Sequence, residues 1–503
     1  MSIFPSKKGL KILFVATEAE PFIKVGGLGS VIHALPKALS ELGHDARVMI
    51  PRYLSIDDSV FKLKIEHEGL NVPTGNLEEG APESLICNVK RFDPENTDDP
   101  VTTYFLENQE FYEQRANVYG YADDAIRWAL LCRGVLEFLS TASNWQPDII
   151  VSSDWQTGLI PNFLKTVYKE DPKLSKISSI FSIHNLYYQA MFDHRFVSEL
   201  DFDDGHSPVP AFHDQRLTKI NWMRRGIIYA DAINTVSPNY AREIMTADYG
   251  ELLDELLRER KSAISGILNG IDYKTWNPET DPAILHPYSN RDLAPREMNK
   301  TVLQERFGLK VEKDVFLVAI VSRMSKQKGL DLLFPILETL LRELPMQLVV
   351  VGEGETDIMG FFHDLETKFP GRIATHLKFD QVLPHLVFAG ADIVLVPSRF
   401  EPCGLAQMEA MRFGTIPIVR KTGGLSDSVE DYDPDKSTGT GFVFEKFDSS
   451  SLMIAFIRAF ENFRDKSKWH RLQKRAMDAN FSWEKSAKEY VKLFKRAMSQ
   501  RSR

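Results

Sequence analysis

Seven short runs of the chain are almost wholly apolar: Ile12–Ala16, Ile149–Val151, Ile177–Ile183, Val315–Val321, Leu348–Val351, Ile393–Val396 and Ile416–Val419. A strand with one face in water alternates apolar and polar residues, whereas these runs need cover on both faces. Between them lie segments where apolar residues return every three or four positions, including Asp124–Leu139, Leu330–Leu344 and Gly404–Phe413. Strands covered on both sides and separated by amphipathic helices predict an α/β fold with doubly wound parallel sheets. Ligands of such sheets bind beyond the carboxyl ends of the strands, so the loops after the apolar runs are where chemistry is expected.

With 503 residues the chain is long enough for two to three domains at about 150 residues each. Asn269-Gly270, Trp276-Asn277-Pro278 and Asp281-Pro282 form a turn-rich stretch between the two sets of strands, which sets a domain boundary near residue 265. At the end of the chain Ser482 is placed to cap a helix whose stripe of Trp483, Ala487, Tyr490, Val491, Phe494 and Met498 requires a docking surface.

The charge balance of 61 basic and 70 acidic residues, net −9, offers no overall positive field for nucleic acid or an anionic membrane. Any anionic ligand must be held by local cations. Cys87, Cys132 and Cys403 form no CxxC pair or disulfide framework, in keeping with a reducing cytoplasm. The run after Lys7-Lys8 is too short for a signal-peptide core and ends at Glu18 and Glu20. The longest apolar runs reach about a third of the roughly 20 residues that a membrane span requires. No metal site with convincing ligand spacing is expected, and Asp203, Asp204 and His206 read as a polar loop. No cofactor is called for.

Three loops carry the candidate chemistry. Lys24 and Gly26-Gly27 follow the first apolar run and precede a helix expected from near Val31, so the glycine amides would face an anion at a positive helix end. Spacing excludes GxGxxG, and a flexible turn beside a solvated lysine is the plainer alternative. The basic loop Ser322–Gly329, with Arg323 and Lys328, follows Val315–Val321 and suits a diphosphate. Each cation at about 4 Å from a phosphate contributes roughly 4 kcal/mol at an effective dielectric near 20. Pro397–Leu405 follows Ile393–Val396; there Glu401 is either a helix-dipole charge or a ligand for hydroxyls. Glu401 and Glu409 are eight positions apart, about 12 Å if both ride one helix. Cys403 reads as packing rather than as a nucleophile. Lys421-Thr422-Gly423-Gly424-Leu425 repeats the pattern of Lys24–Leu28, which suggests paired domains.

These motifs together resemble the starch and bacterial glycogen synthases, retaining glucosyltransferases of the two-Rossmann GT-B architecture. The anchors are KVGGLG (Lys24–Gly29), SDWQTGL (Ser153–Leu159), SIHNLYYQAMF (Ser182–Phe192), Tyr229-Ala230-Asp231 to Val236-Ser237-Pro238, GILNGID (Gly266–Asp272), SRMSKQKGLD (Ser322–Asp331), PSRFEPCGLAQ (Pro397–Gln407) and KTGGLSD (Lys421–Asp427). FSWEKSAKEY (Phe481–Tyr490) is similar to the family's terminal helix. The resemblance implies two Rossmann-like domains facing across a cleft, residues 1–264 on the acceptor side and 265–480 on the donor side, with 481–503 crossing back to the first. It implies glucose transfer from a nucleotide sugar, usually ADP-glucose in bacterial members, to the nonreducing end of an α-1,4-glucan with retention of configuration.

By matching positions, the resemblance implies that Arg323 and Lys328 hold the diphosphate, joined by Lys24 and the amides of Gly26 and Gly27. Glu401 would bind glucose hydroxyls, with Cys403, Gly404, Leu405, Thr422, Gly423 and Gly424 on the donor's side and Glu409 at the ribose. His184 and Asp154 would line the sugar pocket, Phe379 would stack on the nucleobase, and Asn269 would shape the cleft. Plainer roles exist for His184 as a core histidine, Asp154 as a helix cap, Phe379 as core and Asn269 as a turn residue. The chain departs from the family pattern at Val25, Ser30, Gln156 and Glu409, and Tyr119 lacks the usual Pro-Gly context, so no role is carried over to it. Two alternatives stay open: a GT-B transferase using UDP-glucose or another acceptor, and a weakly active nucleotide-sugar or glucan-binding protein.

Overall fold

The computed structural model describes residues 9–75, 82–94, 100–189 and 203–501. The chain divides into two compact units, one of Met1–Val236, Ala241–Ile267 and Trp483–Arg503 and the other of Ser237–Tyr240 and Leu268–Ser482. The last three residues of the SIHNLYYQAMF motif, 190–192, lie outside the described residues.

The first unit is built on nine strands: β1 (Lys11–Val15), β2 (Asp45–Pro51), β3 (Lys64–Pro73), β4 (Ser84–Phe92), β5 (Thr103–Glu107), β6 (Ile149–Ser153), β7 (Ser178–Ile183), β8 (Ala232–Thr235) and β9 (Ile264–Gly266). Their order is β3-β4-β5-β2-β1-β6-β7-β8-β9. All neighbours are parallel except β3–β4 and β4–β5. Every residue of β6, β7 and β8 is buried, as strands covered on both faces require. The antiparallel pair β3–β4 carries no continuous apolar run for sequence to show, because its strands are half-exposed.

The second unit carries β10 (Phe316–Val321), β11 (Met346–Val351), β12 (Ile373–His376), β13 (Ile393–Val396), β14 (Ile416–Arg420) and β15 (Phe442–Phe444), in the order β12-β11-β10-β13-β14-β15 and parallel throughout. Renumbered within the unit this is 3-2-1-4-5-6, the order of a dinucleotide-binding Rossmann sheet. The strand order reverses between β10 and β13, the place where a parallel sheet of this kind leaves a crevice beyond its carboxyl ends. At the opposite end, the buried Asp392 carboxylate accepts from the Leu317 amide at 2.9 Å and from Lys300 Nζ at 2.6 Å, which ties the two strands together away from the crevice. The first sheet reverses in the same way between β1 and β6.

Three expected helices differ in detail. Leu330–Leu344 is interrupted: a 3₁₀ turn at Leu330–Leu333 precedes an α-helix at Leu337–Glu343, since Pro335 removes a donor between them. Asp124–Glu137 is α-helical and then continues as a π turn over Phe138–Ala142. Gly404–Phe413 shortens to Ala406–Arg412, which leaves Glu401 outside the helix, so the helical rise does not measure its distance from Glu409. The terminal helix Trp483–Arg501 packs on the helix Gly27–Glu41 and on β7. Arg496 donates to Ser265 Oγ at 2.7 Å, and Arg501 pairs with Asp231 at 3.1 Å.

Candidate functional site

In the second unit, the loops after β10 and β13 meet at the reversal point. Met324 bridges to Gly354, and Lys326–Lys328 form one 3₁₀ turn closed by Gly329 at φ +67. A Cβ on Gly329 would lie 2.1 Å from the Pro397 carbonyl oxygen, so only glycine lets the loops approach this closely. The Arg399 amide donates to the Gln327 carbonyl at 2.9 Å. Across this seam, Lys328 Nζ lies 2.6 Å from Glu401 Oε2, and Ser398 Oγ donates to the same oxygen at 2.9 Å. Both charged side chains are mostly buried, at 17% and 8% exposure. Arg323, on the same loop as Lys328, is exposed, and among the described residues its guanidinium has no hydrogen-bond or ion-pair partner.

The second glycine pair supports this loop from behind. Gly424 donates its amide to the Glu401 carbonyl at 3.0 Å, and a Cβ there would lie 2.1 Å from the Cys403 carbonyl oxygen. Gly423, at φ +43, approaches the Glu401 carbonyl as closely, and Thr422 is fully buried. The Gly424 amide is therefore engaged by the protein's own backbone. Cys403 is buried, and that burial pushes its thiol up to about 12 while the Asn269 amide pulls it back, so it is a neutral packing group. Asn269 is 5% exposed and its Oδ1 has no hydrogen-bond partner among the described residues; Ser325 Oγ and Ser426 Oγ are buried in the same condition. Buried polar atoms of this kind are what a polar ligand satisfies.

Phe379 is 68% exposed just past β12, so it is not a core residue; its amide donates to Glu353 at 3.3 Å. Glu353 also accepts, through its carbonyl, the Met324 amide at 2.8 Å, which links the Phe379 loop to the Arg323 loop. Glu409 is half-buried in the first turn of Ala406–Arg412, with Gly404 (φ +71) and Leu405 leading into that helix.

In the first unit the loop after β1 is organised by a carboxylate that sequence reading did not single out. Glu18, 3% exposed, accepts through Oε2 from the Val25 amide at 2.5 Å and the Gly26 amide at 2.9 Å. The helix begins at Gly27, four residues earlier than expected, with Gly26 at its N-cap. The Gly26 amide is thus held by an internal anion. Lys24 pairs with Glu20 at 2.7 Å on the exposed side of the loop, a contact of the kind worth about 0–1 kcal/mol and readily exchanged for a ligand. Tyr119, to which no role was carried over, donates to Glu18 Oε1 at 3.2 Å and lies 2.7 Å from Thr17 Oγ1.

After β6, Asp154 adopts φ +56 and does not cap the turn that follows. Its Oδ1 instead accepts from the amides of His184 at 2.7 Å and Asn185 at 3.3 Å. Burial pushes this carboxyl up to about 7, opposed by the two amides and reinforced by the nearby charge of Glu18. Burial also lowers His184 to about 4, so its ring is neutral at ordinary pH. Asp154 and His184 are therefore brought together, while Lys24 and Glu18 share the neighbouring loop. Among the described residues no group of three His, Cys, Asp or Glu is arranged to hold a metal ion. Asp203 is buried against Arg225 at 2.7 Å, and Asp204 accepts from the amides of His206 and Ser207. No described helix is long and apolar enough to cross a membrane.

Comparison with known proteins matches residues 11–259 to the starch synthase catalytic domain and residues 302–477 to the glycosyl transferases group 1. The glycogen synthase of Thermotoga maritima is 40% identical over 496 residues, 97% of this chain and 99% of that protein. That of Bacillus subtilis is 40% identical over 488 residues, covering 96% and 98%. Among solved structures, the catalytic domain of starch synthase IV from Arabidopsis thaliana, bound to ADP and acarbose, aligns with TM-score 0.82 and 33% identity over 98% of this chain and 100% of that one. Sucrose-phosphate synthase from Thermosynechococcus elongatus, at 16% identity and TM-score 0.58, shares the fold.

Proposed function

The chain belongs to the family of starch and bacterial glycogen synthases, glucosyltransferases of GT-B fold, and from that premise we propose that ADP-glucose is its donor and the nonreducing end of an α-1,4-glucan its acceptor. The observation that carries the reading is the meeting of Lys328 and Glu401 at the reversal point of the second sheet, where Rossmann sheets bind nucleotides, with the exposed Arg323 on the same loop as Lys328.

In this proposal Arg323 and Lys328 take the diphosphate, and Glu401 takes glucose hydroxyls with amides around Cys403, Gly404 and Leu405. Thr422, Gly423 and Gly424 brace that loop. Glu409 is assigned to the ribose, Phe379 to the adenine face, and Asn269, through its unpartnered oxygen, to a donor hydroxyl. On the first unit, Lys24 offers a charge to the leaving diphosphate, with Gly26 and Gly27 shaping its loop, and Asp154 and His184 bind the hexose. The bond from the anomeric carbon to the diphosphate oxygen breaks, and its electron pair leaves on ADP. The acceptor 4-hydroxyl attacks the same face, and its proton passes to the leaving phosphate. Such a reaction needs positioning and positive charge more than a nucleophile, which suits a site rich in lysine and arginine with a neutral cysteine.

Incubation of the purified protein with labelled ADP-glucose or UDP-glucose and glycogen, followed by precipitation of the polymer, tests the reading. Polymer label from ADP-glucose exceeding that from UDP-glucose by about tenfold or more is expected. Label from UDP-glucose alone replaces the donor, and label from neither removes the proposal. Residence in the cytoplasm is proposed on the same footing.

A further inference from the structure

A line of buried polar side chains connects His184 to the last helix. His184 Nε2 lies 3.2 Å from Ser182 Oγ. Ser182 Oγ receives Asn234 Nδ2 at 3.3 Å, and the same nitrogen donates to the Tyr490 hydroxyl at 2.8 Å. Each link has a structural reason. Ser182 and His184 are two apart at the end of β7, so both project to one face. Asn234 stands opposite Ser182 in the β7–β8 register. Tyr490 reaches them from the terminal helix. Asn234, Tyr490 and Ser182 are 0%, 1% and 2% exposed, so water does not compete for these bonds.

The direction of the protons follows from the donors. An amide nitrogen only donates, so Ser182 Oγ accepts from Asn234, and among the described residues His184 Nε2 is the one partner left to accept the buried hydroxyl hydrogen. Nε2 is then an acceptor. The ring is neutral and carries one proton, which must sit on Nδ1. The His184 amide is independently fixed by Asp154. Resting on the assignment of His184 to the sugar pocket, we infer that Ser182, Asn234 and Tyr490 are positioning residues that hold His184 as the Nδ1–H tautomer, a hydrogen-bond donor to a sugar oxygen. The terminal helix thereby sets the donor group of the pocket. Docking of the helix does not depend on the hydroxyl, since its apolar stripe and the contacts of Arg496 and Arg501 remain when Tyr490 becomes phenylalanine.

The test uses the full-length chain labelled with ¹⁵N in its histidines, with the His184 signal identified by its loss in His184→Gln. Long-range ¹H–¹⁵N correlation is expected to show Nδ1–H at His184 without any ligand. Ser182→Thr keeps the hydroxyl and the tautomer, whereas Ser182→Ala lets Nε2–H appear. Tyr490→Phe is expected to lower kcat by about three- to tenfold, less than the roughly 10²-fold cost of a 1 Å misplacement, with donor KM and Tm unchanged. An Nε2–H ring in the unaltered chain, or an unchanged tautomer in Ser182→Ala, overturns the inference. A wild-type kcat in Tyr490→Phe overturns the part played by the helix. Because the tautomer is read without substrate, an Nδ1–H ring in a protein that transfers no glucose overturns the proposed function and leaves the relay standing.

Discussion

Lys328 and Glu401, 73 positions apart, meet at 2.6 Å across the seam between the loops after β10 and β13. In the proposed reaction one is the cation for the leaving phosphate and the other the ligand for a hydroxyl, and the ion pair holds the two side chains against each other. Ser398 shares the Glu401 oxygen and removes a further degree of freedom.

Removing Lys328 therefore has two costs. Lys328→Ala deletes the charge proposed to stabilise the departing diphosphate, and it leaves Glu401 buried without its cation. We expect kcat/KM to fall by about 10²–10⁴-fold. Lys328→Arg should recover part of the charge but not the geometry, since a planar fork does not replace a point charge at 2.6 Å. A double-mutant cycle with Glu401→Gln, read by thermal unfolding, should return a coupling of about 1–3 kcal/mol. Independent, additive effects would show that the pair does not act as a unit.

The glycines that bring these loops together make a second prediction. Gly329→Ala places a methyl group 2.1 Å from the Pro397 carbonyl oxygen at φ +67, and Gly424→Ala places one 2.1 Å from the Cys403 carbonyl oxygen. Backbone must move in both cases. Each substitution should cost about 2 kcal/mol or more in urea unfolding and should raise donor KM, because the Lys328–Glu401 seam opens. Gly27→Ala, with nothing within 4 Å of the added carbon, is the control and should be nearly neutral.

The strands that carry the candidate site were legible because burial on both faces leaves an unbroken apolar run, as β10 and β13 do. The β3–β4 pair was not, because its exposed positions carry Lys64 and Glu68 among the apolar ones. The loops of Lys328 and Glu401 were readable, while the contact between the two residues was not, since sequence does not show which loops a sheet reversal brings together. Gly423-Gly424 read as a ligand cradle and is also a packing surface for Glu401 and Cys403. Glu18 read as the polar end of an apolar run. Its role depends on Val25 and Gly26 folding back onto it, and position beyond the carboxyl end of β1 was the one available signal. For Tyr490 the helical stripe announced docking, but not a hydroxyl bonded to a residue 256 positions away.

Glu18 gives a third prediction. Its carboxylate secures the loop that carries Lys24 through the amides of Val25 and Gly26. Glu18→Ala should release both amides, speeding their hydrogen exchange by about 10–100-fold while the core strands stay protected. Glu18→Gln keeps an acceptor oxygen and should fall between the two. Transfer activity should decline in the same order, through donor KM if the loop's order serves Lys24. Unchanged exchange at Val25 and Gly26 in Glu18→Ala would show that the loop is held by something else.

Asp154 and His184 pull the pH dependence of stability in opposite directions, and the difference can be isolated. Asp154 is raised from 3.8 to about 7, so between these values the folded chain holds a proton that the unfolded chain has lost. Stability therefore falls as pH rises through that window, and the penalty is complete above about 7. His184 is lowered from 6.5 to about 4, so the unfolded chain takes up the proton first and stability is lost as pH falls below 6.5. Between pH 4 and 6.5 the two slopes oppose one another in the wild type. Asp154→Asn retains an acceptor for the amides of His184 and Asn185 but cannot ionise. Its stability relative to wild type should rise steadily from pH 4 to pH 7 and then level off, with the variant the more stable at pH 8. In the proposed role of Asp154 at the sugar, glucose transfer should nonetheless fall above pH 7, where the wild-type carboxyl is charged and the amide is not. Urea unfolding at intervals of pH, paired with initial rates, reads both quantities. A pH-independent stability difference would place the ionisation of Asp154 outside this window.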